Sequence, residues 1–527
     1  GQYSDPVFTY SQRLLHESDA VHEKTVLRKA SAAADDLRQV SQSDSFCSHA
    51  RSAVSPQTGR MIIVWQDERN GQLNPDIYAQ ICDLQLNPIG NNFRIHAADP
   101  NAQISPHVTL ISDNRFLVVW EDYRFDESQI YYACVDTEGQ IVKSESIAQS
   151  ADMTQLSPAV SASGSGHIVM SWMQEEGSHY GVSYVCYNDD FERVYYGNVS
   201  ESATEHQWSP DVTTLPAGQS MIVWEENRYE SSDIFAQSLK SDGSKRGENR
   251  RVNERDGVLQ WKPSISSAHD RFFVVWEDHR RSNPAVYGKW LDMYVLAHSP
   301  EFILAENGQN PASAVRQDTT GFVVWKDRSD EKLVRVGACR DTGELLSAAD
   351  IAGSGDAYQP RLQVVGDTLL FSWIRDGDQA SAVYAVHRSW LSLITNSAPD
   401  VPDVPNGLTE LKVNESSVYS MSSSDPEDDP VNYELSWGDG STTGWLGPYA
   451  GGSEQYFEHS WDQPGRYEVR ARAKDNLDHV SAWSQALVVT VNPDTSILSM
   501  TDAAGQPGDT LDLEIRLQNK QPVTRAE

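Results

Sequence analysis

A short phrase built around tryptophan returns seven times in this chain. It is fullest at Val118-Val119-Trp120-Glu121-Asp122-Tyr123-Arg124, and related phrases end at Trp65, Trp172, Trp224, Trp276, Trp325 and Trp373. The steps between successive tryptophans are 55, 52, 52, 52, 49 and 48 residues. A fixed period near 50 with strand-like content marks a repeat architecture, in which neighbouring units must stack to bury a core. The second unit shows the grammar. Residues 107–111 read as a first strand, 112–115 as a turn, 116–120 as an apolar second strand, 129–136 as a third and 141 onward as a fourth. Seven such units predict an all-β chain whose main body is a seven-bladed β-propeller.

The second strands decide how the units meet. Phe-Leu-Val-Val-Trp, Met-Ile-Ile-Val-Trp, Phe-Phe-Val-Val-Trp and Gly-Phe-Val-Val-Trp are unbroken apolar runs without alternation. Such a run belongs to a strand covered on both faces, as a strand flanked by two blades would be. The seventh unit stops after a third strand near 382–387, while residues 37–41 resemble the end of a fourth strand without a blade. The N-terminal segment is therefore expected to close the last blade, which removes an open sheet edge.

Composition narrows the partners. A net charge of −34 argues against nucleic acid and anionic membrane surfaces, both of which need a basic footprint. No run of 18 apolar residues is present to span a membrane. Of the five cysteines, Cys134, Cys186 and Cys339 each lie fourteen residues after a repeat tryptophan. Equivalent points on different blades are too far apart for a disulfide, so buried free thiols are expected. Residues 1–34 form a polar N-terminal arm, either a short helix or extended, and 35–394 hold the propeller.

After a proline-rich linker at 395–407 the repeat ends. Residues 408–492 carry Leu435-Ser-Trp-Gly-Asp-Gly-Ser441, His459-Ser-Trp, Pro464-Gly-Arg-Tyr-Glu-Val-Arg and Ala473-Lys-Asp-Asn476. This segment resembles a PKD domain, which implies an immunoglobulin-like β-sandwich of the kind common in secreted and surface proteins. Asp425, Glu427, Asp428 and Asp429 crowd one loop and Asp475 a later one, and oxygen ligands at that density suit calcium. Some PKD domains bind calcium there, so the resemblance implies Asp425, Glu427, Asp429 and Asp475 as ligands, beside the alternative of a solvated acidic turn. Residues 493–527 are similar to the opening strands of cohesin-type modules, or form a C-terminal tail.

In a blade the first strand leaves one face and the second returns to it, so the Gln-x-Ser-Pro openings and the Trp-x-Asp-x-Arg endings should meet. The pairs Trp65/Asp67, Trp120/Asp122, Trp224/Glu226, Trp276/Asp278 and Trp325/Asp327 recur around the ring, with Arg69, Arg124, Arg228 and Arg280 four residues after the tryptophan and Arg328 one residue early. Side chains two apart on a strand face the same way, so carboxylate and guanidinium can pair. A motif repeated this often reads as a structural lock for the following loop. Gln103, Gln155, Gln207, Gln260 and Gln309 are expected to satisfy loop backbone near each blade's start.

Variable loops on a rigid scaffold are where binding is usually found. Arg69, Asn70, Tyr123, Arg124, Arg228, Tyr229, His279 and Arg280 are thus the expected binding groups for a glycan or protein partner. No sialidase Asp-box, GxSxG elbow, HExxH or phosphate loop occurs, so no catalytic residue is assigned. The expectation is a secreted or cell-surface binding or adhesion protein, with the PKD-like module as spacer. The alternatives are a self-associating subunit of an extracellular filament, sheath or surface layer, and a polysaccharide lyase or hydrolase. Clustered unpaired acids or a His/Tyr/Arg group at the mouth of the central channel would favour the enzyme.

Overall fold

The apolar runs become the second strands of seven four-stranded antiparallel sheets in a computed structural model. It describes residues 37–493 except 43, 126, 148–152, 165, 201–204, 229–230, 255–256, 330–332, 352–355, 378–379, 391–396, 427–429 and 476–478, together with 497–500, 506 and 515–518. The expected N-terminal arm and most of the expected tail lie outside these residues. Two compact units result, Gly1–Ile394 and Thr395–Glu527.

In the first unit the blades span 47–94, 103–146, 155–198, 207–251, 260–305, 308–350 and 356–389. Each first strand neighbours that of the next blade, and the seventh neighbours the first, so the sheets close a ring. The second strands show why their sequences do not alternate. Met61, Ile63 and Trp65 enter a core shared with the seventh blade, whereas Ile62 and Val64 enter one shared with the second. Phe116, Val118 and Trp120 face the first blade, while Leu117 and Val119 face the third. Both faces of the strand are interior, and burying each such side chain contributes about 1.5–3 kcal/mol. All seven repeat tryptophans are buried.

The seventh blade is closed from the N-terminus, as expected. Arg38–Gln39 pairs with Ala385 and Tyr384, and the Val40 amide donates to Val383 O at 2.8 Å. All five cysteines are free and buried. Burial pushes the thiols of Cys47, Cys82, Cys186 and Cys339 up to about 12 and that of Cys134 to about 11, so none is a nucleophile at neutral pH.

The second unit has a five-stranded and a two-stranded sheet around Tyr419, Tyr433, Trp437, Trp461, Val469 and Val489. The Trp-Gly-Asp-Gly motif has a backbone reason. Gly438 and Gly440 take φ of +80° and +93°, and a Cβ on Gly438 would meet Glu468 N at 2.6 Å. The proline-rich stretch is extended, but it is not a free tether. The amides of Asp400, Asp403 and Asn406 donate to Ser424, Ser422 and Ser420 carbonyls, so these residues run along the sandwich. Their spacing of three is the period of a polyproline helix. The strands Ile497–Met500 and Ile515–Gln518 pair antiparallel. Among the described residues no helix is long and apolar enough to cross a membrane.

Candidate functional site

The repeated phrase folds into a local hydrogen-bond knot. The indole Nε1 of Trp65, Trp120 and Trp276 donates to Asp67, Asp122 and Asp278 at 2.9, 3.0 and 3.1 Å. Each of these carboxylates also accepts the backbone N–H and two guanidinium N–H groups of Arg69, Arg124 or Arg280. In the fourth blade Glu226 takes the same place between Trp224 and Arg228. The guanidiniums lie 3.7–4.6 Å over the rings of Tyr78, Tyr131, Phe235 and Tyr287, the residues paired with each tryptophan across the sheet.

Two expectations need correction here. Asp327 meets Arg335 at 2.6 Å and not Arg328. Arg335 occupies the position opposite Trp325 that holds an aromatic ring in those four blades, so its guanidinium reaches the carboxylate directly. Two of the opening glutamines serve a strand and not a loop. Gln155 and Gln207 accept the amides of Ile130 and Val182 in the third strand of the preceding blade. Gln309 pairs with Lys326 and stands one place out of register, its structural counterpart being Gly308 opposite Asp327.

The expected loop-face residues are not gathered into one site. Arg69, Arg124, Arg228 and Arg280 sit on four blades, each held by its own carboxylate with about a quarter of its side chain exposed. Asn70 donates to buried Asp76, and Tyr123 Oη donates to Glu121 at 3.2 Å. Tyr229 lies outside the described residues. For the calcium expectation, Glu427, Asp428 and Asp429 likewise lie outside them. Asp425 and Asp475 are buried, and Asp475 accepts the His479 amide at 2.9 Å. Among the described residues no three His, Cys, Asp or Glu side chains cluster to hold a metal.

Where the ring loses its symmetry is more informative. Every first strand bulges soon after it begins, and at the bulge a non-glycine residue is left-handed. These are His49, Ser105, Ser157, Ser209, Lys262, Asn310 and Gln359, with φ of 49–54°. Seven strained residues at equivalent places ring one end of the central channel, and a bulge re-aims the side chains beside it. Acceptors from neighbouring blades secure them. Glu121 accepts the Ser157 amide at 2.8 Å, Glu225 that of Lys262 at 2.7 Å and Glu277 that of Asn310 at 3.2 Å.

The residue before the left-handed one is serine, isoleucine, leucine, glutamine or tyrosine in five blades but tryptophan in the fourth and fifth. Trp208 and Trp261 pair with Glu225 and Glu277 and keep part of their surface exposed. His206 stacks on Trp208 at 5.4 Å, and His279 meets Trp261 at 4.5 Å while bonding Glu277 at 3.0 Å. Exposed Lys262 lies next to Trp261 in sequence.

The two glutamates are pushed in opposite directions. Burial, with Glu277 nearby, raises Glu225 above the usual carboxylate range against the Lys262 and Ser209 hydrogen bonds. Burial also opposes ionisation of Glu277, but the bonds from His279 and Asn310 and the charge of Lys262 outweigh it and hold that carboxyl low. His279 is among the loop residues expected from the sequence, whereas neither tryptophan is. The available signal was the exceptional Trp in Gln207-Trp208-Ser209-Pro210 and Gln260-Trp261-Lys262-Pro263. One rung further into the channel are Arg51, His107, Asp211 and Arg361.

Residues 409–488 match the family model of the PKD domain, and this segment is a PKD domain. Among solved structures, the chain is similar to the PKD domain of an M14-like peptidase from a Thermoplasmatales archaeon, at 41% identity over 18% of this chain and 98% of that one, with a TM-score of 0.18. It is also similar to a Dyadobacter fermentans protein of unknown function, at 9% identity over 67% and 99% of the two chains and a TM-score of 0.44. A Trypanosoma rangeli sialidase mutant displaying trans-sialidase activity follows at 8% identity, 73% and 83% coverage and a TM-score of 0.35. No curated protein matches the chain.

Proposed function

We propose that this chain is a secreted or cell-surface glycan-binding protein. The propeller holds the ligand on the face around the channel mouth, and the PKD domain acts as a spacer. One observation carries the reading: Trp208 and Trp261 stand at equivalent, partly exposed positions on consecutive blades, beside Glu225, Glu277 and Lys262. Flat aromatic surface with convergent polar groups is the composition of a site that orients a polyhydroxylated ligand. The Asp–Arg knots give the rigid rim on which such a platform stays pre-formed.

A screen of the folded protein against an array of neutral and acidic glycans tests this. We expect binding of at least one glycan class, and a loss of roughly ten-fold or more in Trp208→Ala and in Trp261→Ala, as for aromatic anchors elsewhere. No binding at all, or full binding by both variants, would sink the reading. The opposed shifts of Glu225 and Glu277 favour a second reading, a polysaccharide-active enzyme, because environments that push two carboxyls apart prepare an acid and a base. Release of reducing ends from the bound glycan, abolished in Glu277→Gln, would decide for it.

A further inference from the structure

Two residues past the left-handed ring the first strands present Arg51, His107, Asp211 and Arg361, with only alanine or serine at the other three equivalent places. Arg51 and Arg361 belong to adjacent blades, the first and seventh. Each donates one Nη1 bond to the carbonyl of the residue before it, Ala50 at 3.2 Å and Pro360 at 2.8 Å. A guanidinium has five donors, so most of each fork is left over after this one bond to a described residue. Among the described residues, the one carboxylate whose charge acts on both is Asp211, and its oxygens already accept the Val212 and Ile265 amides at 2.9 and 3.0 Å.

His107 does not add an acid partner. Its Nδ1 accepts the Val160 amide at 3.4 Å, which leaves Nε2–H facing Asp211 Oδ1 at 3.9 Å. Burial and the charges of Arg51 and Arg361 push its pKa well down, so it is neutral at neutral pH. Two guanidiniums therefore share a single carboxylate inside a channel walled by blades, where unbalanced charge is costly. The rest of the chain carries strong negative charge, so this positive spot is not a sample of a basic surface.

His107 lines a cavity of about 390 Å³ together with Ser52 and Leu362, the residues that follow Arg51 and Arg361, and this volume is within the range of small-ligand pockets. Thr109, Ser161, Thr213, Ser266, Ser313 and Gln363 line it. Some of these hydroxyls bond one another, Thr213 with Ser267 and Ser266 with Ser313, both at 2.9 Å, and each hydroxyl has acceptor capacity left. A pair of planar forks matches a carboxylate, and a wall of hydroxyls matches a polyol.

We propose that the central channel is a second binding site, for a small polyhydroxylated carboxylate of the sugar-acid class. Its carboxylate lies between Arg51 and Arg361, and its hydroxyls face the serine and threonine wall. Calorimetric titration with D-glucuronate, and with D-glucose as the neutral counterpart, tests this on the full chain. Glucuronate is expected to bind and to raise the melting midpoint, and glucose to do neither. Arg51→Met and Arg361→Met should each weaken glucuronate at least ten-fold. Both should fold, because each removes unbalanced charge, and an unchanged far-ultraviolet spectrum checks this. Arg361→Lys, which keeps charge but loses the fork, should fall between the wild type and Arg361→Met. Absence of glucuronate binding by the wild type, equal binding of glucose, or undiminished binding by the folded Met variants would overturn the site.

Discussion

At the scale of single residues, the buried carboxylate after each repeat tryptophan holds together what the chain would otherwise leave apart. Asp122 has no exposed surface and accepts from an indole, a backbone amide and two guanidinium nitrogens at 2.7–3.1 Å. Removing it orphans the Trp120 N–H and leaves Arg124 over Tyr131 without its counter-charge. Asp122→Ala should destabilise the propeller by about 3–5 kcal/mol, the cost of breaking a buried pair from one side, read as a lower urea midpoint. The acid side of the stability curve follows from the same group. Burial opposes ionisation of Asp67 and Asp122, but the bonds from arginine and tryptophan outweigh it and hold both carboxyls below their ordinary value. Their contribution is thus complete above the unfolded carboxylate value of about 3.9 and is lost as pH falls through the depressed folded value. Wild type should lose stability more steeply than Asp122→Ala below about pH 4; parallel curves would remove the lock from the account.

At the scale of strands, ring closure rests on a very short piece of chain. Arg38–Gln39, the Val40 amide on Val383 O and Ser41 Oγ accepting the Val383 amide at 3.1 Å complete the seventh blade. Val40 is buried in the core shared by the seventh and first blades. Burial of one valine at about 2 kcal/mol and a few hydrogen bonds at about 1 kcal/mol each make the segment worth on the order of 4 kcal/mol. A chain starting at residue 42 should therefore melt several degrees below one starting at residue 35, and it should aggregate through the uncovered Ser381–Ser389 edge. Equal melting would show that the blade is stable with three strands. This closure was legible in the sequence, as were the blade packing and the PKD domain, because period, apolar runs and glycine turns are local signals. The left-handed ring was not, since His49, Ser105, Lys262 and Gln359 announce no such backbone and only the following proline or alanine is visible. Nor was the channel cluster: Arg51, His107, Asp211 and Arg361 lie 56 to 310 residues apart and become neighbours only once the bulge register is fixed. The arginine opposite Trp325 shows the same limit, because sequence spacing pointed to Arg328 and cross-strand pairing supplied Arg335.

At the scale of the whole molecule, charge sets conditions that no single contact reveals. The chain carries 76 acidic against 42 basic residues. Many of the basic groups are already spent in local pairs, such as the knots at Asp67, Asp122 and Asp278 and the bridge from Arg335 to Asp327. What remains is a surface that repels itself, and self-repulsion of a like-charged shell opposes the compact state. The Debye length shrinks from about 30 Å at 0.01 M salt to about 3 Å at 1 M, so added sodium chloride removes that repulsion before it reaches short buried pairs. The melting midpoint should rise with salt between those limits. The rise should be no smaller in Asp122→Ala, because the knot is short-ranged and screened little. A midpoint that falls with salt would mean that surface ion pairs outweigh the net charge. The same field bears on both proposed sites: an acidic glycan approaches a negative molecule and finds compensation at Lys262 on the rim and at Arg51 and Arg361 inside. Its association rate should then increase with moderate salt, opposite to what a basic surface would give, and stopped-flow mixing at stepped ionic strength reads the sign directly.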